Sequence, residues 1–562
     1  MNLIRPALNG PGVYVQEIPS GNHTITGVST SVTVFIGRTR WGDLWTPTTI
    51  TSYADFVKTF GGPLPNTYLA STVEDFFLNG GLQAVVVRAY KDPTPPPAGN
   101  APAPEPSGVA IDATTQVFNT DGGPRAQGWG AAVSGQQTAP QLVAASPGSW
   151  GSKLVVDVDW KGLVLATPPQ GAPSRYQTLV LQKYATSNWN AQDLFNITIT
   201  LEPGDGQKIV ERFQAVSLNS NAGSRQLSEV LKHQSTLLRV VAAAPPAGAG
   251  ADSAALTIAE YQKAAELLDK VETFNLICLP PDAALDVTDP LGTDTKLAYG
   301  EFAKLAKDRR AMLIVDAPPE WTEASFSRAT LTADHFTAEL GITAGDDVAR
   351  FSAVYFPWLI KADPLNGNAP RAVPPCGAAA GIMARTDQSR GVWKAPAGVG
   401  AGIGGIEGLA YTLTEVETGN LNDIGVNCLR SFSTTGPVVW GSRTLKGSDA
   451  LSDDFKYIPI RRLANYMEES LLRGTKWAVF EPNDEPLWAQ MRLSVGAFMA
   501  DLFRQGAFQG SSAKDAYSVT CDASVNTSND QQQGVLNVVV RYAPLKPAEF
   551  VILYFQQQTL GA

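Results

Sequence analysis

The chain has little of what catalysis near neutral pH ordinarily uses. It carries three histidines in 562 residues, His23, His233 and His335, and histidine is the side chain most often used as a general base. Only His335, within Ala333-Asp-His-Phe336, is placed where a base could serve. Neither a Gly-x-Ser-x-Gly elbow nor an HExxH helix accompanies it. The four cysteines (Cys278, Cys376, Cys428, Cys521) are scattered without CxxC or metal-type spacing, so each reads as a buried thiol. There is no basic excess: a net charge of −10 and a pI near 5.0 speak against phosphate neutralisation. No segment approaches the ~20 uninterrupted apolar residues that span a bilayer. The opening Met-Asn-Leu-Ile-Arg-Pro lacks the apolar run of a signal peptide. The expectations are therefore no catalytic residue, no cofactor, no metal, no direct nucleic-acid binding and no membrane insertion. Synthesis and assembly are expected in the cytoplasm.

Two patterns that could carry chemistry have plainer readings. Gly400-Ala-Gly-Ile-Gly-Gly405 satisfies GxGxxG, but turn sequence (Lys394-Ala-Pro-Ala-Gly398) precedes it where a dinucleotide fingerprint needs a strand. A surface loop is the better reading. The acidic residues Asp484 and Glu485 stand just before an apolar helix, where negative charge suits the amino-terminal end of the dipole.

What the sequence does contain is alternating α/β pattern with an interruption. Hydrophobic residues are 44% of the chain and charged residues 17%, enough for two to four cored domains. Residues 28–90 read as strand Val32–Gly37, helices Tyr53–Phe60 and Leu69–Leu78, and strand Gln83–Arg88. Residues 91–145 read as a Pro/Gly/Ala-rich linker or loop region, because seven prolines crowd Asp92–Pro106. Residues 146–245 are β-rich, with strands at Lys153–Trp160, Phe195–Leu201 and Ile209–Val216 and a helix at Ser224–Leu231. The α/β pattern resumes over 250–440 and continues in a C-terminal core domain over 441–545. The predicted fold is thus a multi-domain α/β (α+β) protein. Its core is discontinuous, split by a β-rich outer insertion.

Both ends of the chain are the strongest signal. Gly12-Val-Tyr-Val-Gln-Glu-Ile18 is a β-type segment ahead of any domain, and Phe550-Val-Ile-Leu-Tyr-Phe555 is apolar at every position. A strand apolar on both faces has to be covered on both, and uncovered strands aggregate unless pairing with other copies is their purpose. Residues 1–27 and 546–562 therefore read as β-arms, with Val13, Tyr14, Val15, Glu17, Ile18 and Phe550, Val551, Ile552, Leu553, Tyr554, Phe555 as the inter-subunit residues.

Several stretches, in order along most of the chain, resemble the contractile tail sheath proteins of phages and of related phage-tail-like injection systems. They begin with Pro11–Pro19, Gly27–Ser31 and Phe35–Gly37. Next come Ser146–Gly151, Val210–Phe213 and Val216–Leu218 in the middle block. Tyr355–Trp358, Val373–Pro375, Arg390–Gly398, Asn427–Arg430 and Val439–Leu445 follow. Trp477–Pro486, Gln505–Ala507 and Ala543–Phe550 complete the series. Residues 91–145 match nothing. The resemblance implies a helical homo-polymer, with sister sheath proteins where a particle has them. It implies an inner tube protein, baseplate and terminal cap proteins as partners, in a phage tail or an injection particle. It further implies a metastable extended state that shortens to drive the tube through a target envelope, and arms that donate strands to neighbours. A non-contractile tube or shell protein is the alternative, and a hydrolase around His335 a remote third.

The helix after Asp484 resembles the one such sheaths turn toward the tube. Leu487, Met491, Val495, Phe498 and Leu502 form one apolar stripe. Arg492, Asp501, Arg504 and Gln505 lie largely off it and are the expected tube-contacting residues.

Overall fold

The computed structural model describes residues 23–93, 117–119, 141–159, 194–202, 208–218, 220–241, 250–282, 293–318, 321 and 340–554. The chain divides into two compact units. The larger comprises Ser31–Thr386 and Pro396–Lys456; the smaller comprises Met1–Thr30, Asp387–Ala395 and Tyr457–Ala562.

The larger unit is built on an eight-stranded sheet. From one edge to the other its strands are Gly436–Val439, Val426–Phe432, Ser352–Phe356, Met312–Asp316, Leu276–Cys278, Thr33–Gly37, Ala84–Arg88 and Thr48–Ile50. The six inner strands run parallel and the two edge strands antiparallel. The unbroken apolar runs are explained by this position: Thr33–Gly37, Ala84–Arg88, Met312–Asp316 and Ser352–Phe356 are buried at every residue, as a parallel sheet covered on both faces requires. Because Thr33–Gly37 bonds to Leu276–Cys278, the sheet joins residues from both sides of the β-rich block. The core is discontinuous, as the sequence pattern implies.

One face is covered by helices Ile258–Leu268 and Thr293–Asp308. Tyr261, Ala264, Leu268, Tyr299, Phe302 and Ala306 pack there on Val34, Ile36, Val85, Ile277 and Leu313. The first of these helices opens with a Thr257–Glu260 capping box. On the other face Phe35 meets Phe76 of helix Leu69–Leu78, with ring centroids 5.5 Å apart. Helix Cys376–Arg390 lies against that helix. A side chain at Gly381 would come within 2.5 Å of the Phe76 carbonyl oxygen, so glycine there permits backbone contact.

The β-rich block carries its own four-stranded sheet, ordered Val117–Asn119, Leu154–Asp159, Leu194–Leu201, Ile209–Ser217. A second small sheet pairs Gln141–Ala144 with Leu238–Val241. Here the structure corrects the sequence reading: the region taken as linker, 91–145, supplies strands to both sheets. Three- and four-residue strands in Gly/Ala-rich sequence have too few side chains to show alternation. The helix expected at Ser224–Leu231 is Leu227–Gln234, preceded by a 3₁₀ turn at Ser220–Arg225. Trp41, from the first core segment, packs beside Trp150 in the block's cluster at 5.7 Å.

The smaller unit consists of helix Ile458–Gly474, helix Glu485–Arg504 and a two-stranded sheet, Tyr517–Thr520 with Val539–Tyr542. Leu463, Met467, Leu487, Met491, Val495, Phe498 and Leu502 form its core with Ile25 and Val392. The C-terminal segment was expected to begin at 441, but 441–456 belongs to the larger unit. There the Leu445 amide donates to the carbonyl of Ser352, the first residue of an inner strand, at 2.8 Å. Phe550–Tyr554, read in the sequence as part of an inter-subunit arm, forms no strand in the single chain.

Candidate assembly surfaces

Inner parallel strands end where α/β sheets commonly bind ligands, at the point where strand order reverses. In this sheet that point lies between Thr33–Gly37 and Leu276–Cys278, and it is filled from within. The Arg38 guanidinium donates to both Asp282 carboxylate oxygens at 2.7 and 2.9 Å, to the Ser253 carbonyl and to the Asn66 carbonyl. Asp282 also accepts from the Leu256 amide at 2.8 Å. A fully engaged ion pair holds together the segments that would otherwise open around a ligand.

The residues weighed for chemistry are placed in structural roles. Gly398–Gly405 forms a turn and a bridge from Gly402 to Val438, and no helix opens from it. Asp484 caps its helix by accepting from the Leu487 amide. All four cysteines are buried and free. His233 pairs with Glu229 on an exposed helix face at 3.4 Å. His335 lies outside the described residues. Among the described residues no group of His, Cys, Asp and Glu could hold a metal, and no helix is long and apolar enough to cross a membrane.

The recurrent motifs are mostly structural too. The Asn427 side chain donates to the Val354 and Arg443 carbonyls and accepts from the Arg443 amide. This binds two adjacent strands to the 441–445 turn. Trp358 donates to the Ala317 carbonyl at 2.7 Å. Asp316, at the end of an inner strand, accepts from the Cys376 amide at 2.8 Å, while its other oxygen has no partner. Complete burial pushes its carboxyl up to about 7, against the bond from Cys376. Asp75 rises to about 6 from burial, opposed by Lys361 at 2.6 Å.

The exposed apolar surface concentrates in the smaller unit. Phe550, Val551, Ile552, Leu553 and Tyr554 are each between 70% and 89% exposed. Five consecutive bare apolar side chains are far from what a folded monomer ordinarily shows. Phe555 and the N-terminal set Val13, Tyr14, Val15, Glu17 and Ile18 lie outside the described residues. Val479 and Phe480 are also exposed, and Phe480 is held at φ 70°, a left-handed conformation uncommon for a bulky residue. The sequence reading included this pair only within the stretch Trp477–Pro486 and assigned it no role.

Helix Glu485–Arg504 buries Leu487, Met491, Val495, Phe498 and Leu502 as its spacing predicts. The residues expected to reach outward are not equally available. Arg492 is engaged by Glu485 and the Cys521 carbonyl. Arg504 and Asp501 pair with each other on the exposed side, and Gln505 is exposed at the helix end. Leu493 is exposed on the same helix.

Comparison with known proteins agrees with this picture. Residues 254–445 match the phage tail sheath protein central domain, and residues 451–558 match the phage tail sheath C-terminal domain. The tail sheath protein of Vibrio phage KVP40 is 29% identical over 188 residues, 33% of this chain and 26% of that one. The tail sheath protein of Enterobacteria phage T4 is 26% identical over 198 residues, 34% of this chain and 28% of that one. The chain is thus aligned with about a quarter of the length of these relatives. Among solved structures, the helical sheath of the anti-feeding prophage in its contracted state shares the fold. Its TM-score is 0.55 at 20% identity, over 98% of this chain and all of that one. With two sheath models tiling more than half of its residues, the chain belongs to the phage tail sheath family.

Proposed function

We propose that the protein is the structural subunit of a contractile tail sheath. It polymerises helically around an inner tube and shortens from an extended metastable state to drive the tube through a target envelope. The observation that carries this reading is the bare run Phe550–Tyr554 in a chain of this family. Magnitudes favour a role in self-association. Burying each such side chain is worth about 1.5–3 kcal/mol, against about 0.5–1.5 kcal/mol net for each backbone ladder bond. Side-chain burial is thus the larger part of what an arm gains on docking, and the ladder sets its register. A contact that does not close into a ring propagates as a helix.

The N-terminal arm (1–27, through Val13, Tyr14, Val15, Glu17 and Ile18) and the C-terminal arm (546–562, through Phe550 to Phe555) join neighbouring copies. The α/β core supplies the packing whose rearrangement releases free energy, and the β-rich insertion faces outward. On helix Glu485–Arg504, Arg504, Asp501 and Gln505 meet the tube. Arg492 joins them by exchanging its bond to Glu485 for one to the tube. These contacts are weak, as exposed ion pairs are, and so can break on contraction. Sister sheath proteins, baseplate and cap proteins complete the particle, which assembles in the cytoplasm. The role is mechanical, with no reaction catalysed.

The test is negative-stain electron microscopy of the full chain, alone and with the tube protein. Striated hollow tubes in either sample support the proposal. Uniform small particles in both would overturn it.

A further inference from the structure

Both arms emerge from the smaller unit, and the root of the N-terminal arm is seated there by a row of specific contacts. Residues 23–30 run along helix Ile458–Gly474. His23 stacks on Trp477, with ring centroids 4.0 Å apart and planes 16° apart. Ile25 is buried in the unit's core. The Val28 amide donates to the Ser470 hydroxyl at 3.2 Å. Arg462, itself buried against Asp387 through two bonds of 2.6 and 2.9 Å, donates to the Thr30 carbonyl at 2.9 Å.

Two glycines, one on each partner, make the fit possible. A side chain at Gly474 would come within 2.6 Å of Ile25, although that helix position would favour alanine by intrinsic propensity. A side chain at Gly27 would overlap the Tyr466 hydroxyl. Tyr466 has little freedom to yield, because its ring packs beside Phe498 at 6.1 Å. Each of the two segments thus gives up a side chain where the other presses in.

We infer that residues 23–30 are a load-bearing anchor, with Gly27, Gly474, Ser470 and Arg462 as positioning residues. Tension on the N-terminal arm enters the smaller unit along helix Ile458–Gly474. It leaves by the C-terminal arm, beyond strand Val539–Tyr542 of the same unit, without passing through the α/β sheet. The contacts are spread over eight residues and lie side by side, so a pull along the arm loads them together instead of one after another. The inference rests on the sheath reading for the source of the tension, and on the contacts alone for the seat.

The experiment is amide hydrogen exchange across 23–30 in the full-length unassembled chain, read beside the yield of tubes in pelleting assays. In Gly27→Val and Gly474→Ala, exchange at 23–30 is expected to rise at least tenfold, with the larger unit unchanged and tube yield down at least tenfold. Gly419→Ala, on a helix with open space around it, is expected to match the wild type in both readouts. Should Gly27→Val unfold the unit, Ser470→Ala removes one bond without overfilling, and a several-fold rise is expected. Unchanged exchange in these variants overturns the seat. Rapid exchange with undiminished tube yield overturns its load-bearing role. A wild type that forms no tubes, even with the tube protein present, overturns the sheath reading instead, and the exchange result still decides the seat.

Discussion

Met312–Asp316 and Phe550–Tyr554 are five-residue runs of nearly the same character, Met-Leu-Ile-Val-Asp and Phe-Val-Ile-Leu-Tyr. In the single chain they meet opposite fates. The first is buried at every residue between Leu276–Cys278 and Ser352–Phe356. The second is bare at every residue and pairs with nothing in a named strand. Strand propensity states that a segment will suit a pleated, covered surface; it does not state whose surface. In the larger unit the chain supplies both neighbours and both covering layers. In the smaller unit it holds an apolar run out, which under the proposed function is the place reserved for another copy.

The comparison can be broken most forcefully by deletion. Removing 550–562 is expected to abolish tubes while leaving the thermal midpoint of the unassembled chain within a degree or two. A fall in the midpoint of several degrees would show that the segment already belongs to the monomer's fold. Leu313→Ala acts on the opposite case. Excavating a fully buried strand residue costs about 2–5 kcal/mol, seen in denaturant unfolding, and any loss of tubes then follows from loss of fold.

A third effect depends on pH. The Asp316 carboxyl lies at about 7 in the folded chain, against roughly 3.9 when unfolded. The folded state therefore holds the proton more tightly. The stability this carboxyl contributes is fully present below about pH 4 and is lost as pH rises through 7. Asp316→Asn is expected to flatten the dependence of unfolding free energy on pH between 4 and 8, by at most ~4 kcal/mol. An unaltered curve would show that this carboxyl is not the cause. Smaller still, Ile552→Ala is expected to change monomer stability by no more than ~0.5 kcal/mol, in contrast with Leu313→Ala. Smallest, Arg504→Glu should leave folding and self-assembly unaltered and weaken only recruitment to the inner tube, measured by co-sedimentation. Equal recruitment would remove Arg504 from the tube surface.

Much of the larger unit was legible in the chain because its signals are long and local. Leu69–Leu78 carries a helical stripe closed by Asn79-Gly-Gly81, and the inner strands are unbroken apolar runs, so type and placement agree with the structure. Helix Glu485–Arg504 is equally plain, from its acidic cap to its five-residue core stripe. What escaped was decided at a distance. Val117–Asn119 becomes a strand only because Leu154–Asp159 lies beside it in parallel. Residues 441–456 join the larger unit through backbone bonds, buried Arg443 and the core leucine Leu445, too few apolar positions to make a periodic pattern. Phe480, read in the sequence only as part of Trp477–Pro486, has a left-handed backbone and full exposure that no local pattern announces. Of the candidate assembly surfaces, the C-terminal apolar run is visible in the sequence alone. The seat of the N-terminal arm is not, since it depends on Gly27 meeting Tyr466 and Gly474 meeting Ile25 across more than four hundred residues of sequence.

The central claim is that the bare C-terminal run is covered by another copy. A helical cryo-electron-microscopy reconstruction of the assembled tubes tests it directly. The expected result is Phe550–Phe555 as a strand bonded to a neighbouring subunit, with its side chains buried. Tubes in which these residues remain exposed, or fold back on their own subunit, would contradict the account.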